Sequence, residues 1–285
     1  MKWRGRRQSE NVVDRRGVSG RTVVGGGIGI LILAMIVGLL GGDPRQVMQQ
    51  ANQGRQQAPA EGGKPAELSK LDIERGEFVS TVLADTEDVW TKLFAQSGLK
   101  YETPKLELFT KATSSACGNA SSAAGPFYCP ADRKVYLDTA FFDQLARQLN
   151  APGDFAQAYV VAHEVGHHVQ NLLGKTSELD QARRRLPEVE YNKLSVRLEL
   201  QADFYAGVMF HHAQREKQIL EEGDIEEGLR AAAAIGDDTL QKRSQGAAHQ
   251  ETFTHGSSEQ RVRWFMKGLQ TGDPEQGDTF AAGQL

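Results

Sequence analysis

Cysteine is nearly absent: Cys117 and Cys129 are the only two in 285 residues. Their spacing does not match the paired C-x-x-C form of a structural zinc site. They bracket a loop of small residues, so the simplest reading is a disulfide in an oxidising compartment, with two unpaired thiols as the alternative. Closing a loop of that length stabilises a fold by roughly 3 kcal/mol in the loop-entropy picture. An excess of positive charge is also missing, since the formal net charge is −4, which argues against nucleic acid as a partner. No internal repeat is evident.

Charge is wholly lacking over residues 22–42, where Ile28, Leu31, Ile32, Leu33, Met35, Ile36 and Val37 form a strongly apolar core. That run approaches the roughly 20 residues a bilayer-spanning helix needs. Five glycines between Gly25 and Gly38 weaken it as a helix, although glycine is more frequent in membrane helices than in soluble ones. Residues 1–22 carry Lys2, Arg4, Arg6, Arg7, Arg15, Arg16 and Arg21 against Glu10 and Asp14, a balance of +5 that leaves −9 on the rest. By the positive-inside rule the basic end stays in the cytoplasm and the remainder is exported. An A-x-A-like cleavage site is absent after the run, which favours an uncleaved anchor over a signal peptide. The expected organisation is a basic cytoplasmic tail at 1–22, a transmembrane anchor at 23–42, a Gln/Ala/Gly/Pro-rich linker at 43–67, a domain at 68–272 and a flexible tail at 273–285. The expected location is a bacterial cytoplasmic membrane, single-pass, with the domain periplasmic or extracellular.

The motif that carries chemistry is His163-Glu164-Val165-Gly166-His167, an H-E-x-x-H inside an apolar stretch. Val161, Val165, Val169 and Leu172 recur at steps of three and four and predict a helix over 155–173. Asn150, Pro152, Gly153 and Asp154 supply start signals, and Gly174 supplies a stop. Residues four apart share a helix face, so His163 and His167 can offer two imidazole nitrogens to one Zn²⁺. Glu164 then stands where a carboxylate takes a proton from a water that the metal activates. A catalytic zinc usually keeps a third protein ligand. Glu199, with Asp203 one turn on, sits in the apolar stretch of Leu198, Ala202, Tyr205 and Met209. Carboxylates in such a setting need partners. Glu199 is the expected ligand, and Asp203 the acceptor for the free ring N–H of a ligand histidine.

H-E-V-G-H-H-V-Q together with L-E-L-Q-A-D-x-Y-A-G resembles the neutral zinc metallopeptidases of bacteria, the YpfJ-like family. The E-x-x-A-D element is similar to that of HtpX-type membrane zinc peptidases. Further matches fall at Cys117-Gly118, Gly125-Pro126-Phe127-Tyr128-Cys129-Pro130, Val135-Tyr136-Leu137-Asp138 and Thr254-His255-Gly256-Ser257-Ser258-Glu259-Gln260-Arg261. The resemblance runs from about residue 68 to about 272 and implies a zincin-like fold with zinc held by His163, His167 and Glu199 and Glu164 as base. His255 is similar to the T-H-P element of HtpX-type peptidases, with Gly256 in place of proline. It is either a donor to the reaction's oxyanion or part of a capping loop in which it and Arg261 pack.

Elsewhere the pattern predicts a mainly α domain with a small β-sheet, an α+β class. Helices are expected over 72–96, 141–149, 155–173, 177–185, 187–218, 225–234 and 260–269, and short strands over 106–110 and 134–137. The second strand is a candidate sheet edge for an extended substrate, though Tyr136 within it could equally be core. Tyr128, Tyr136 and Tyr205 are the other candidate oxyanion donors. His168 reads as a buried structural histidine, and His211 and His212 as solvated. The resulting expectation is a membrane-anchored zinc endopeptidase acting on extracytoplasmic proteins or peptides. The alternatives are a catalytically silent zinc-binding scaffold and a zinc-dependent cell-wall amidase.

Overall fold

Helix α1, Lys70–Gln96, begins at a capping box in which Ser69 and Asp72 satisfy each other's backbone N–H groups. It buries Phe78, Val82, Val89 and Leu93, the apolar positions that the helical period marks. This computed structural model describes residues 1–17 and 67–285. The anchor expected at 23–42 and all but the last residue of the linker lie outside them. Among the described residues no helix is long and apolar enough to cross a membrane.

A four-stranded sheet packs beside α1 in the order β1-β2-β6-β5. Its strands are β1 (Val12–Asp14), β2 (Lys105–Phe109), β5 (Phe127–Cys129) and β6 (Lys134–Asp138). β1, β2 and β6 run parallel, while β5 is antiparallel to β6 with Tyr128 opposite Val135. A hairpin of β3 (Ala112–Ser115) and β4 (Gly118–Ser121) projects between β2 and β5 in sequence. The Cys117–Cys129 disulfide ties its turn to the end of β5. The strand containing Tyr136 is therefore interior, and the edge strands are β1 and β5. Tyr136 is 1% exposed, stacks on Phe127 and donates to Asp132, so it is a core residue.

The helical part is built from α2 (Ala140–Arg147), α3 (Asp154–Leu172), α4 (Lys175–Arg183), α5 (Glu188–Lys217), α6 (Asp224–Ala234), α7 (Asp237–Gln245) and α8 (Ser258–Thr271). The α3 stripe of Val161, Val165 and Val169 is buried, at roughly 1.5–3 kcal/mol for each such side chain. Two glycines set helix separations. A Cβ on Gly166 would stand 2.8 Å from the Ala202 carbonyl oxygen, so its absence lets α3 and α5 meet backbone to side. A Cβ on Gly268 would fall 2.0 Å from the Phe204 carbonyl oxygen, and α8 lies on α5 by the same device.

Three further expectations need correction. The tail at 1–22 is not a separate region over residues 1–17, because these form β1 and pack on the domain. The tail at 273–285 is tied down: Arg197 donates to the carbonyls of Thr279, Phe280 and Ala282, and Gln201 donates to Gly277 O at 2.8 Å. His211 and His212 are half-buried and cap α8, donating to Leu269 O at 2.9 Å and Gly272 O at 2.7 Å. Helix α7 and strands β1, β3, β4 and β5 were not expected. The strands are three or four residues long, too short for a period to show.

Candidate metal centre and its cleft

The crossing of α3 and α5 brings His163, His167 and Glu199 together, with one donor atom of each lying within 4.8 Å of the others. His163 Nε2 is 3.2 Å from one Glu199 oxygen and His167 Nε2 is 3.6 Å from the other. Both opposite ring nitrogens are engaged. His163 Nδ1 meets Asp203 at 2.8 Å, and His167 Nδ1 meets the Gln170 side-chain oxygen at 2.9 Å. With Nδ1–H donating in each ring, both Nε2 lone pairs point at a carboxylate. Lone pairs and an anion facing one another require a cation between them, which is the donor set and tautomer arrangement of a zinc site.

The electrostatics express the same demand. Burial disfavours a charged His163, but Asp203 and Glu199 outweigh it and raise its pKa to about 10. Burial likewise works against the Glu199 charge, yet His167 and His255 hold that carboxyl well below its usual range. A proton at His163 Nε2 is a stand-in for the metal that competes with it.

Asp203 is fully buried and saturated with donors. Besides His163 it accepts from Tyr159 and from Arg261 Nε and Nη2, the last two at 2.8 and 3.0 Å. Burial would raise the Asp203 pKa, but the Arg261 guanidinium and His163 hold it below the ordinary value. Arg261, 2% exposed, comes from α8, so three helices meet at one carboxylate. Gln170 joins α3 to α5 through Leu198 O at 2.7 Å and Gln201 at 3.1 Å.

Glu164 lies beside the triad with no side-chain partner among the described residues, and it lines a cleft of about 470 Å³. Pro126, Phe127 and Tyr128 form one wall of this cleft, and Ile235, Leu240 and His255 form another. His255 is half-exposed. Its loop is strapped to the start of α7 by Asp237, which accepts the backbone N–H groups of Thr254, His255 and Gly256 at 2.7, 2.6 and 3.1 Å. His255 Nδ1 lies 3.0 Å from Thr254 Oγ1 and 3.4 Å from Asp237, leaving Nε2 unengaged by them. Desolvation opposes a charged His255, but Glu199 and Asp237 outweigh it and raise its pKa. Tyr205 is buried against Trp90 and does not reach the cleft. Sequence reasoning did not single out Asp237, Gln170 or Tyr159. Gly236-Asp237-Asp238 ahead of a polar run is a helix-start signal that could have found the first.

Tyr128 is committed elsewhere. Its hydroxyl donates to His168 Nδ1 at 3.0 Å and accepts from Asn171 at 2.9 Å, while His168 Nε2–H donates to Glu102 O at 2.6 Å. This chain fastens the edge strand β5 to α3. Burial pushes the His168 pKa down from 6.5 to about 4, against the opposing pull of the Glu102 carbonyl. Because the folded value lies below the unfolded one, the unfolded state binds more protons between those values. Stability is then full above pH 6.5 and falls as pH drops toward 4, by on the order of 3 kcal/mol. Urea denaturation at a series of pH values is expected to show this acid limb, and His168→Gln is expected to flatten it. An unchanged slope in the variant would assign the limb to other groups.

Two imidazoles and a carboxylate on crossing helices, with a further glutamate lining the adjoining cleft, match the pattern of a zinc-peptidase class of site. Similarity to known proteins agrees. The chain belongs to the family described as "Putative neutral zinc metallopeptidase", whose profile matches residues 1–280. It is 44% identical over 290 residues to the uncharacterized protein YpfJ of Escherichia coli (strain K12), covering 98% of this chain and 99% of that one. It is 40% identical over 261 residues to the uncharacterized protein Mb2605 of Mycobacterium bovis, covering 87% and 86%. No solved structure matches the chain.

Proposed function

We propose that this protein is a zinc-dependent endopeptidase, with His163, His167 and Glu199 as the metal ligands and Glu164 as the general base. The observation that carries the reading is the facing of two Nε2 atoms, their rings held at Nδ1, onto Glu199 beside a Glu164 with no side-chain partner among the described residues. Zinc bound there supplies a Lewis acid that acidifies water and polarises a carbonyl. Glu164 takes the proton of the attacking water and passes it to the departing amine. His255, aimed by Asp237 and Thr254, donates from Nε2 to the oxyanion that develops on the substrate. An extended peptide adds to the open edge of β5, and the apolar cleft walls receive a large apolar side chain next to the scissile bond. The apolar run at 23–42 tethers the enzyme to a membrane, and its substrates are extracytoplasmic proteins or peptides. The Cys117–Cys129 bridge supports that compartment.

Glu199→Ala tests the ligand set. The full-length variant is expected to lose zinc on dialysis against a weak chelator that leaves the parent with one equivalent, and to lose peptide hydrolysis with it. Zinc retained undiminished would remove Glu199 from the set.

A further inference from the structure

We infer that the groove between α1 and β2 is a seat built for the chain's own residues 1–17, so that this segment and the domain 67–285 work in one compartment. The segment is held along its whole length. β1 extends the sheet at β2, and flanking backbone bonds run from Lys2 to Ile219, Ser9 to Ser80, Leu106 to Asn11 and Arg15 to Leu108, all between 2.8 and 3.0 Å. Trp3, 8% exposed, packs edge-on against Phe78 with ring centroids 5.5 Å apart.

The charges are matched residue by residue. Arg6 pairs with Asp85, and Arg7 with Glu87 and Asp88. Every hydrogen-bond partner of the Glu87 carboxylate among the described residues, namely Arg7, Ser9 and Asn11, comes from the segment. Arg16 is 6% exposed, chelates Asp14 and donates to the Asp72 carbonyl at 2.7 Å.

The seat is also written into α1 itself. Gly76 stands inside that helix, where glycine costs about 1 kcal/mol relative to alanine. A Cβ there would lie 2.5 Å from the Arg16 guanidinium, so the glycine makes the space that Arg16 occupies. Without the segment, the Phe78 face under Trp3 and the edge of β2 would face water, an exposed edge of the kind that promotes mispairing, and Glu87 would lose its hydrogen-bond partners while Asp85 and Asp88 kept only Lys217.

A single crossing between residues 17 and 67 would put segment and seat on opposite faces of the membrane. A neighbouring copy could not fill the seat either, because its own segment would lie across the same barrier. The single-pass orientation with a cytoplasmic N-terminus is therefore incompatible with the docked segment.

The test uses the full-length chain, whose native cysteines are bonded to each other. Gln8 and Asp180 are exposed, and Ser9 is buried. In purified protein, Ser9→Cys is expected to react with a maleimide at least about tenfold more slowly than Gln8→Cys, as protection by docking requires. Adding Gly76→Leu, which fills the Arg16 space, is expected to remove that difference. In spheroplasts, a membrane-impermeant maleimide is expected to treat Gln8→Cys and Asp180→Cys alike, labelling both or sparing both until lysis. Equal rates for Ser9→Cys and Gln8→Cys in the purified protein would overturn the seat. Labelling of one of Gln8→Cys and Asp180→Cys with protection of the other would overturn the shared compartment. None of these readouts depends on zinc or turnover.

Discussion

Glu164→Gln is expected to keep one equivalent of zinc and to lose peptide hydrolysis by on the order of 10²–10⁴-fold, the range for removal of a general base. The separation of the two effects follows from geometry. The triad of His163, His167 and Glu199 closes on itself through contacts that do not include Glu164, while Glu164 sits at the cleft with no partner among the described residues. Glutamine preserves shape and removes only the capacity to accept and return a proton. Metal content measured beside casein hydrolysis on the full-length pair decides the matter. Turnover equal to that of the parent would refute the assignment of Glu164 as base. Loss of zinc along with activity would instead place Glu164 among the ligands.

The second large effect concerns Arg261→Met, expected to destabilise the metal-free protein by about 3–5 kcal/mol. For a domain of this size that is a fall in Tm of roughly 10 °C. Asp203 is fully buried and receives both Nε and Nη2 of Arg261, so methionine would fill space while stranding a carboxylate out of water. Adding Asp203→Asn removes the stranded charge and is expected to recover part of the stability. It is not expected to recover zinc affinity, because the anionic acceptor that orients His163 through Nδ1 is gone, at a cost of about 10–100-fold. Denaturant titration and zinc competition on the single and double variants measure the two quantities separately. A single variant within about 1 kcal/mol of the parent would show that Arg261 is not what balances Asp203.

Both results bear on how the site is held. His163 is oriented by Asp203 on α5, which is balanced by Arg261 on α8. His167 is oriented by Gln170 one turn away, which is itself anchored to α5. The candidate metal centre is thus the meeting point of three helices, and the closeness allowed by Gly166 and Gly268 brings its residues together.

By itself the sequence determined what is local. The four-residue spacing of His163 and His167, and of Glu199 and Asp203, sets each pair on one helix face because helical geometry repeats every 3.6 residues. Long apolar periods likewise marked α1, α3 and α5, and family resemblance joined the blocks in order. Only the tertiary structure decided what depends on residues far apart in the chain. The strand order that makes β5 an edge and places Tyr136 in the interior is such a property. So are the Arg261 balance at Asp203, the Asp237 strap on the His255 loop and the docking of residues 1–17. Short strands and a basic, polar segment carry no period of their own. Their structure comes from the partner surface, the β2 edge and the acids and glycine of α1, and that surface exists only once the chain has folded.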